Sequence, residues 1–433
     1  MELGEEYKKT EVGIIPQDWN AIQVDDLISE ISMGPFGSDV KVSNFVSEGV
    51  PFLSGDNIRT NKLKDGFNNF VTHKKAKELK KAVASRGDIV VTHRGTIGQI
   101  AYIPESSEYR KYVISQSQFR ARFKSDVNPN WIALYFLSNK GSSSLLEGKG
   151  HTGVPAITQA TTTFRKLYVP MPPKSEQDKI CLAIDDVDAL ITQLENLITK
   201  KRQIKQGAMQ TLLNPFDKNG SIKDGWKEQR LGDTASLKAR IGWQGLTTSE
   251  YLKTGDYFLI TGTEFKNGFI DWDSCHYVEQ ERYKQDRNIQ IKPNDILVTK
   301  DGTIGKVAFV RSTPKPATLN SGVFVIRPLN ESFHPEFFYY VLMSDVFTQF
   351  LIQLCAGSTI NHLYQKDFVH FKFYTPNSLE EQKEIAQVFS DMDEEIHLLN
   401  KKLEKTRSLK EGMMQSLLTG QIRLVDPTPK NEQ

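Results

Sequence analysis

Apolar residues recur at alternating steps of four and three in two long stretches of the chain. In Glu176–Leu213 they are Ile180, Ile184, Val187, Ile191, Leu194 and Ile198. In Glu381–Leu418 they are Ile385, Phe389, Met392, Ile396, Leu399 and Leu403. This is an a/d seam, the pattern of helices that pack lengthwise on a partner. The second stretch repeats the first about 205 residues downstream, with about 15 of 38 aligned positions identical. A helix of about 38 residues spans roughly 57 Å at about 1.5 Å per residue. A duplicated unit ending in a seam helix predicts a pseudo-two-fold molecule, two similar heads on paired rods.

Upstream of each seam the pattern changes to short β-branched runs around glycine turns. Gly87-Asp88-Ile89-Val90-Val91-Thr92 answers Asn294-Asp295-Ile296-Leu297-Val298-Thr299. Each run is followed by Gly-Thr-Ile-Gly, at Gly95–Gly98 and Gly302–Gly305, and then by a second apolar run. These spacings predict one hairpin in each half. Pro129-Asn130-Trp131 and Pro335-Glu336-Phe337 each open a short aromatic helix with proline near its start. Their aromatics lie at helical spacing and are read as core. Pro170, Pro172 and Pro173 precede the first long helix and Pro376 the second, forcing an extended approach and a clean start.

The expected fold class is therefore α+β: two repeated mixed α/β globules separated by two long antiparallel coiled-coil helices, with pseudo-two-fold symmetry. The expected boundaries are 1–170, 171–213, 214–375 and 376–422, with a disordered tail at 423–433. Similarity is uneven. Ser29–Asn57 and Ala235–Glu264 share little beyond a glycine and the block around Gly49 and Gly255. The pattern is a shared scaffold carrying two different surfaces.

Composition adds bounds. At 433 residues, with 38% hydrophobic and 25% charged residues, the chain has the profile of a soluble protein of two or three domains. A net charge of +2 neither demands nor excludes a nucleic-acid partner. The polar N-terminus shows no signal-peptide core, and the longest apolar runs fall short of membrane-spanning length. Cys181, Cys275 and Cys355 are isolated, without disulfide or zinc spacing. Cytoplasm is the expected compartment, without membrane association.

Catalytic motifs are missing from the sequence. It contains no GxGxxG and no GxxxxGK[ST]. No Asn/Asp-Pro-Pro-aromatic loop, of the kind that grips a flipped adenine, is present. Gly302-Thr303-Ile304-Gly305-Lys306 superficially resembles a phosphate loop, but its repeat partner has Gln99 in place of Lys306, which favours a hairpin turn. Glu381-Gln382-Lys383 contains a nuclease-like Glu-x-Lys. Its counterpart is Glu176-Gln177-Asp178, and acidic residues in a first helical turn complement the helix dipole. No catalytic residue and no metal site is expected.

Other features suit nucleic acid. Lys62 to Arg94 carries a local excess of Lys and Arg, open to reading as phosphate contact or as a solvated helix face. Gln116-Ser117-Gln118-Phe119-Arg120-Ala121-Arg122 alternates polar and apolar, so one strand face could present Gln and Arg to base edges. His151–Pro155 and Gly357–Asn361 read as polar loops, each just before a closing strand.

Several motifs resemble the specificity subunits of type I restriction–modification enzymes. They are the lead-in Tyr7–Trp19, the two Asp-Ile hairpins with Gly-Thr-Ile-Gly, the helix entries Pro172–Ile180 and Pro376–Ile385, and the closing Met413–Arg423. The resemblance spans almost the whole chain, and the ordered set carries it. It implies two target-recognition domains reading the two parts of a split, asymmetric double-stranded DNA target. It also implies that the two helices bind two methyltransferase subunits, and that restriction (motor–nuclease) subunits join for cleavage. S-adenosylmethionine, Mg and ATP would belong to those partners, and the chain itself would hold no cofactor. Base-reading residues vary with target in this family, so they are expected only by loop position. In the first half these are Ser38, Lys41, Asn57, Arg59, His93, Arg94, Thr96, Gln116, Gln118 and Arg120. In the second they are Trp243, Gln244, Thr263, Lys266, Lys300, Thr303 and Asn361. Two rival readings are a coiled-coil adaptor and the recognition half of a fused restriction–methylation enzyme.

Overall fold

The computed structural model describes residues 6–147, 155–355 and 362–425. The chain forms two compact units, Met1–Glu195 with Lys402–Gln433, and Asn196–Lys401. Each unit contains one globule, the first part of one long helix and the last part of the other.

In the first unit a four-stranded antiparallel sheet is built from β1 (Ile28–Met33), β2 (Ile89–Thr92), β3 (Ile100–Tyr102) and β4 (Gln118–Phe123), in the order β3-β2-β4-β1. One face is covered by α1 (Pro129–Leu137), whose Pro129 sits in the first turn and whose Asn128 caps it, accepting from the Asn130 amide at 2.9 Å. The cap and the proline fix the start of this helix. Trp131 and Phe136 are fully buried, and Trp131 meets Trp19 edge-on at 5.6 Å. The opposite face is covered by a second layer centred on Leu53, Ile58, Ala84 and Tyr112.

The second unit repeats this frame. β5 (Ala235–Lys238), β6 (Ile296–Thr299), β7 (Val307–Phe309) and β8 (Val323–Pro328) lie in the corresponding order β5-β8-β6-β7. The aromatic helix is Pro335–Leu342, with Phe337 to Tyr340 fully buried.

The long helices are α2 (Lys174–Leu212) and α4 (Leu379–Leu417), with the aromatic helix Pro335–Leu342 as α3 between them. All twelve seam positions are buried or half-buried. In the first unit Asp188 pairs with Lys410 and Glu195 with Arg407, each at 2.6 Å. In the second, Lys201 pairs with Glu395 at 2.7 Å and Lys205 with Asp393 at 2.5 Å. Within each unit one helix therefore ascends as the other descends, the antiparallel pairing expected of the two long helices.

The Glu-Gln helix entry does more than complement the dipole. Gln177 accepts from the Asn128 amide at 2.9 Å and donates to the Pro172 carbonyl at 2.9 Å. Gln382 accepts from the His334 amide and donates to the Pro376 carbonyl, both at 2.7 Å. One buried amide side chain thus ties the proline approach of each long helix to the start of its aromatic helix.

Candidate nucleic-acid interface

In each unit several connections meet at one end of the sheet. The first is the glycine hairpin. The Gly98 amide donates to Thr92 at 3.0 Å, and the Gly305 amide to Thr299 at 2.9 Å. Gly98 and Gly305 have φ of 85° and 80°, and a Cβ on Gly305 would stand 2.3 Å from Leu351. Positive φ and close packing both exclude larger residues here. The second connection precedes the central strand: His93 donates to the Ser117 carbonyl at 2.9 Å, and Lys300 to that of Gly322 at 2.8 Å. The third closes the cluster, Ile157 donating to His93 at 2.9 Å and Leu363 to Lys300 at 2.8 Å. The backbone frame is the same in both units, while its side chains differ.

In the first unit Ser38, Lys41, Arg59, Arg94, Thr96 and Gln116 are exposed. His93 is half-buried, with a ring nitrogen 3.3 Å from the Gln116 carbonyl. Burial holds its pKa below the ordinary histidine value, and the neighbouring Arg94 charge adds to this. Arg59 is ion-paired with Asp56.

Three expected base readers are turned inward. Asn57 is 3% exposed and binds the Ser54 amide and the Lys64 and Gly66 carbonyls, so it folds its own loop. Gln118 accepts from the Ser115 amide at 2.9 Å and donates to the Ser54 carbonyl at 3.3 Å. Arg120 pairs with Glu30 and lies 3.6 Å from the buried Asp88. The alternation of β4 was expected to put one face in solvent. The strand is central, and both faces are covered, by α1 on one side and the second layer on the other. The neighbouring Arg122 holds Asp88 through two bonds of 2.7 and 3.0 Å, and Arg327 holds Asp295 in the same way at 2.6 Å. Lys62 and Arg86, from the basic stretch, are likewise committed, to Asp185 at 2.8 Å and to the Tyr109 carbonyl at 3.3 Å.

In the second unit the corresponding end holds a cleft of 810 Å³. It gathers Thr263 and Thr303 with Lys253, Lys306, Asn320 and Ser321. The buried Glu264 shapes one wall, accepting from the Gly262 amide at 2.9 Å and from the Thr261 hydroxyl at 2.8 Å. Lys266 points elsewhere: it pairs with Asp271 and lines a separate 680 Å³ cavity with Arg202, Trp272 and Arg311. Lys300 is half-buried, its ammonium 5.3 Å from the Phe324 ring centre. Trp243 and Gln244 belong to a 3-10 turn, Gly242–Gln244, and Gln244 is half-buried. Asn361, with the loops His151–Val154 and Gly357–Asn361, lies outside the described residues. Tyr251, Lys253 and His276 line the cleft without having been expected, because the stretches that carry them share little sequence with the first half. No single helix among the described residues is long and apolar enough to cross a membrane.

Known proteins share this arrangement. The chain is 24% identical over 436 residues to the type I restriction enzyme MjaVIII specificity subunit of Methanocaldococcus jannaschii, covering 97% of this chain and 96% of that one. It is 23% identical over 287 residues to the EcoBI specificity subunit of Escherichia coli, covering 61% of this chain and 60% of that one. The crystal structure of the S subunit of the type I restriction–modification system from M. genitalium matches with a TM-score of 0.60 at 14% identity, covering 99% of both chains. The profile of the type I restriction modification DNA specificity domain matches twice, over residues 16–206 and 223–406. Together these two matches take in most of the chain, which thus belongs to the type I restriction–modification specificity subunits, the DNA-recognising members of those systems.

Proposed function

We propose that each globule reads one part of a split duplex target, and that the target is asymmetric because the two reading surfaces differ. The observation that carries this reading is the repeated hydrogen-bonded frame at the sheet end, which presents His93, Arg94, Thr96 and Gln116 in one unit and Asp301, Thr303, Lys306 and Ser321 in the other. Phosphate contacts from exposed Lys and Arg would set the register, and the loop side chains would read bases. The chain supplies recognition and no chemistry. Two methyltransferase subunits on the paired helices would add methyl groups at adenine N6, and restriction subunits would cut. S-adenosylmethionine, Mg and ATP would be held by those cytoplasmic partners.

Two measurements test the reading. Genome-wide mapping of N6-methyladenine, with the partner expressed, should lose one bipartite motif when this gene is deleted. Retention of every motif would refute the proposal. The chain assembled with its methyltransferase partner should also bind duplex DNA with a steep salt dependence, which an adaptor protein would lack.

A further inference from the structure

Just beyond the first strand of each sheet the backbone does the same thing twice, although the sequences there have diverged. Three residues past the end of β1, Phe36 caps a 3-10 turn, Gly37–Asp39. Three residues past the end of β5, Ile241 caps the 3-10 turn Gly242–Gln244. The Phe36 carbonyl accepts from the Asp39 amide at 2.9 Å, and the Ile241 carbonyl from that of Gln244 at 2.8 Å. A second 3-10 turn follows in each case, at Val42–Asn44 and Thr248–Glu250.

Both N-cap residues carry large apolar side chains open to solvent. Phe36 is 83% exposed and Ile241 is 53% exposed. Among the described residues only Val42, in the same loop as Phe36, is as open as Phe36; the next large apolar side chain, Leu182, is 62% exposed. Single exposed apolar residues are common on any protein surface and by themselves carry no message. Here the exposure recurs at one position of a duplicated frame, on turns already held in shape. The Asp39 carboxylate accepts from the Phe36 amide at 3.0 Å. Each turn also abuts the reading cluster of its own unit. A Cβ on Gly37 would stand 2.5 Å from Gln116 Oε1, and one on Gly245 would stand 3.1 Å from Ser321 Oγ. The Leu246 amide donates to Asn320 at 3.1 Å. The surroundings are polar and carry cations, with Lys41 exposed in the same loop as Phe36 and Lys253 and Lys306 beside Asp301 in the adjoining cleft.

We propose that Phe36 and Ile241 are apolar wedges, each entering one base-pair step of its half-site and unstacking it while the neighbouring loops read bases. An apolar side chain beside cationic groups fits a nucleic acid, whose stacked bases are apolar and whose backbone is anionic. Insertion of this kind opens a step and bends the duplex. A turn already ordered in the free protein lowers the cost of ordering on binding. The inference rests on the DNA reading above and adds to it a role in deforming the target.

The test uses the full chain assembled with its methyltransferase partner and target duplexes carrying 2-aminopurine at successive steps of both half-sites. The expected result is a several-fold rise in fluorescence at one step in each half-site, distinct from the methylated adenine. Phe36→Ala should abolish the rise in one half-site and weaken binding by roughly tenfold, the scale of losing one base–aromatic contact. Ile241→Ala should abolish the rise in the other, and Phe36→Leu should retain part of the signal. None of these changes should alter the salt slope, because no phosphate contact is touched. Salt-dependent binding with no such rise, or a rise that survives both alanine variants, overturns the wedge and leaves the DNA reading standing. A loss on replacing thymine by uracil equal to that of Phe36→Ala, without a fluorescence change, also overturns it in favour of methyl contact. If the assembled complex shows no salt-dependent duplex binding, the DNA reading fails and the wedge fails with it.

Discussion

The two units close the same globule by different means. In the second, the chain runs directly from α2 through residues 213–225 into the strand Trp226–Arg230, which pairs with Lys372–Pro376. Asp217 and Lys223 tie that connection down, Asp217 accepting from the Asn219 amide at 2.8 Å and Lys223 donating to the Asn214 carbonyl at 2.6 Å. In the first unit the corresponding join has no peptide link. The segment after α4 instead meets the N-terminal strands through Arg423. Its guanidinium binds both Glu176 oxygens at 2.9 Å, binds Asp18 at 2.8 and 2.6 Å, and lies 5.6 Å from the Trp19 ring centre. A side-chain clamp stands where the other unit has a covalent connection. The same edge is thus held in both units, by a continuous run of chain in one and by side-chain bonds in the other.

The sharpest way to break that comparison is Arg423→Ala. The Glu176 side chain is 2% exposed. Without the guanidinium it would keep only the Trp19 indole at 3.1 Å and the Leu424 amide at 3.2 Å. Removing one partner of a buried ion pair costs about 3–5 kcal/mol, because the other charge stays buried and uncompensated. The expected outcome is loss of amide-exchange protection in the first unit, with the second unit's exchange unchanged. Equal loss in both units would show that the clamp is not specific to the first.

A second contrast lies where each aromatic helix faces its long helix. In the first unit Asn130 accepts from Asn61 at 2.9 Å and donates to Asp185 at 3.1 Å, and Lys62 reaches the same carboxylate at 2.8 Å. The corresponding side of the second unit has Glu336 beside Arg311 at 3.8 Å, near the 680 Å³ cavity that Arg311 lines. Asn130→Ala should cost about 1–3 kcal/mol by leaving buried polar groups unpaired. Burial raises the Glu336 pKa above the ordinary carboxylate value, so a neutral amide suits its site. Glu336→Gln should therefore shift the denaturation midpoint less than Asn130→Ala. The reverse order would mean that the second unit depends on its ion pair more than the first depends on its amide network.

What the sequence revealed follows from which groups had a periodic signal. The seam positions were legible because a four-three spacing sets them on one face of a helix, and all twelve are buried or half-buried. The hairpins were legible because Gly98 and Gly305 sit at conformations that glycine adopts freely. The burial of Gln118 and Arg120 was not, since alternation marks one covered face and says nothing about a second layer on the other. Asn57 reads as a polar loop residue and is in fact the peg that holds its loop. The wedge turns were hidden for a different reason. The hydrogen bond that the two turns have in common runs between backbone groups, which leave no trace in side-chain identity, so Phe36 and Ile241 share a place without sharing a sequence.

The smallest of the expected effects isolates the exposed arm of the clamp. Asp18 is 53% exposed, and its pKa is lowered chiefly by its hydrogen bond to Arg423. A carboxylate whose folded pKa is depressed adds stability above its unfolded pKa and loses it as pH falls through the folded value. Solvent screening limits such a pair to less than about 1 kcal/mol. Asp18→Asn should therefore lower stability slightly at pH 7, and the difference from the unmodified chain should vanish in acid, where Asp18 itself is neutral. Arg423→Ala removes both arms at once and should remain the larger loss at pH 7. Chemical denaturation of both variants across the acidic range checks the pair. An Asp18→Asn effect as large as that of Arg423→Ala would place the clamp's strength at the surface, and the buried Glu176 would then be a passenger.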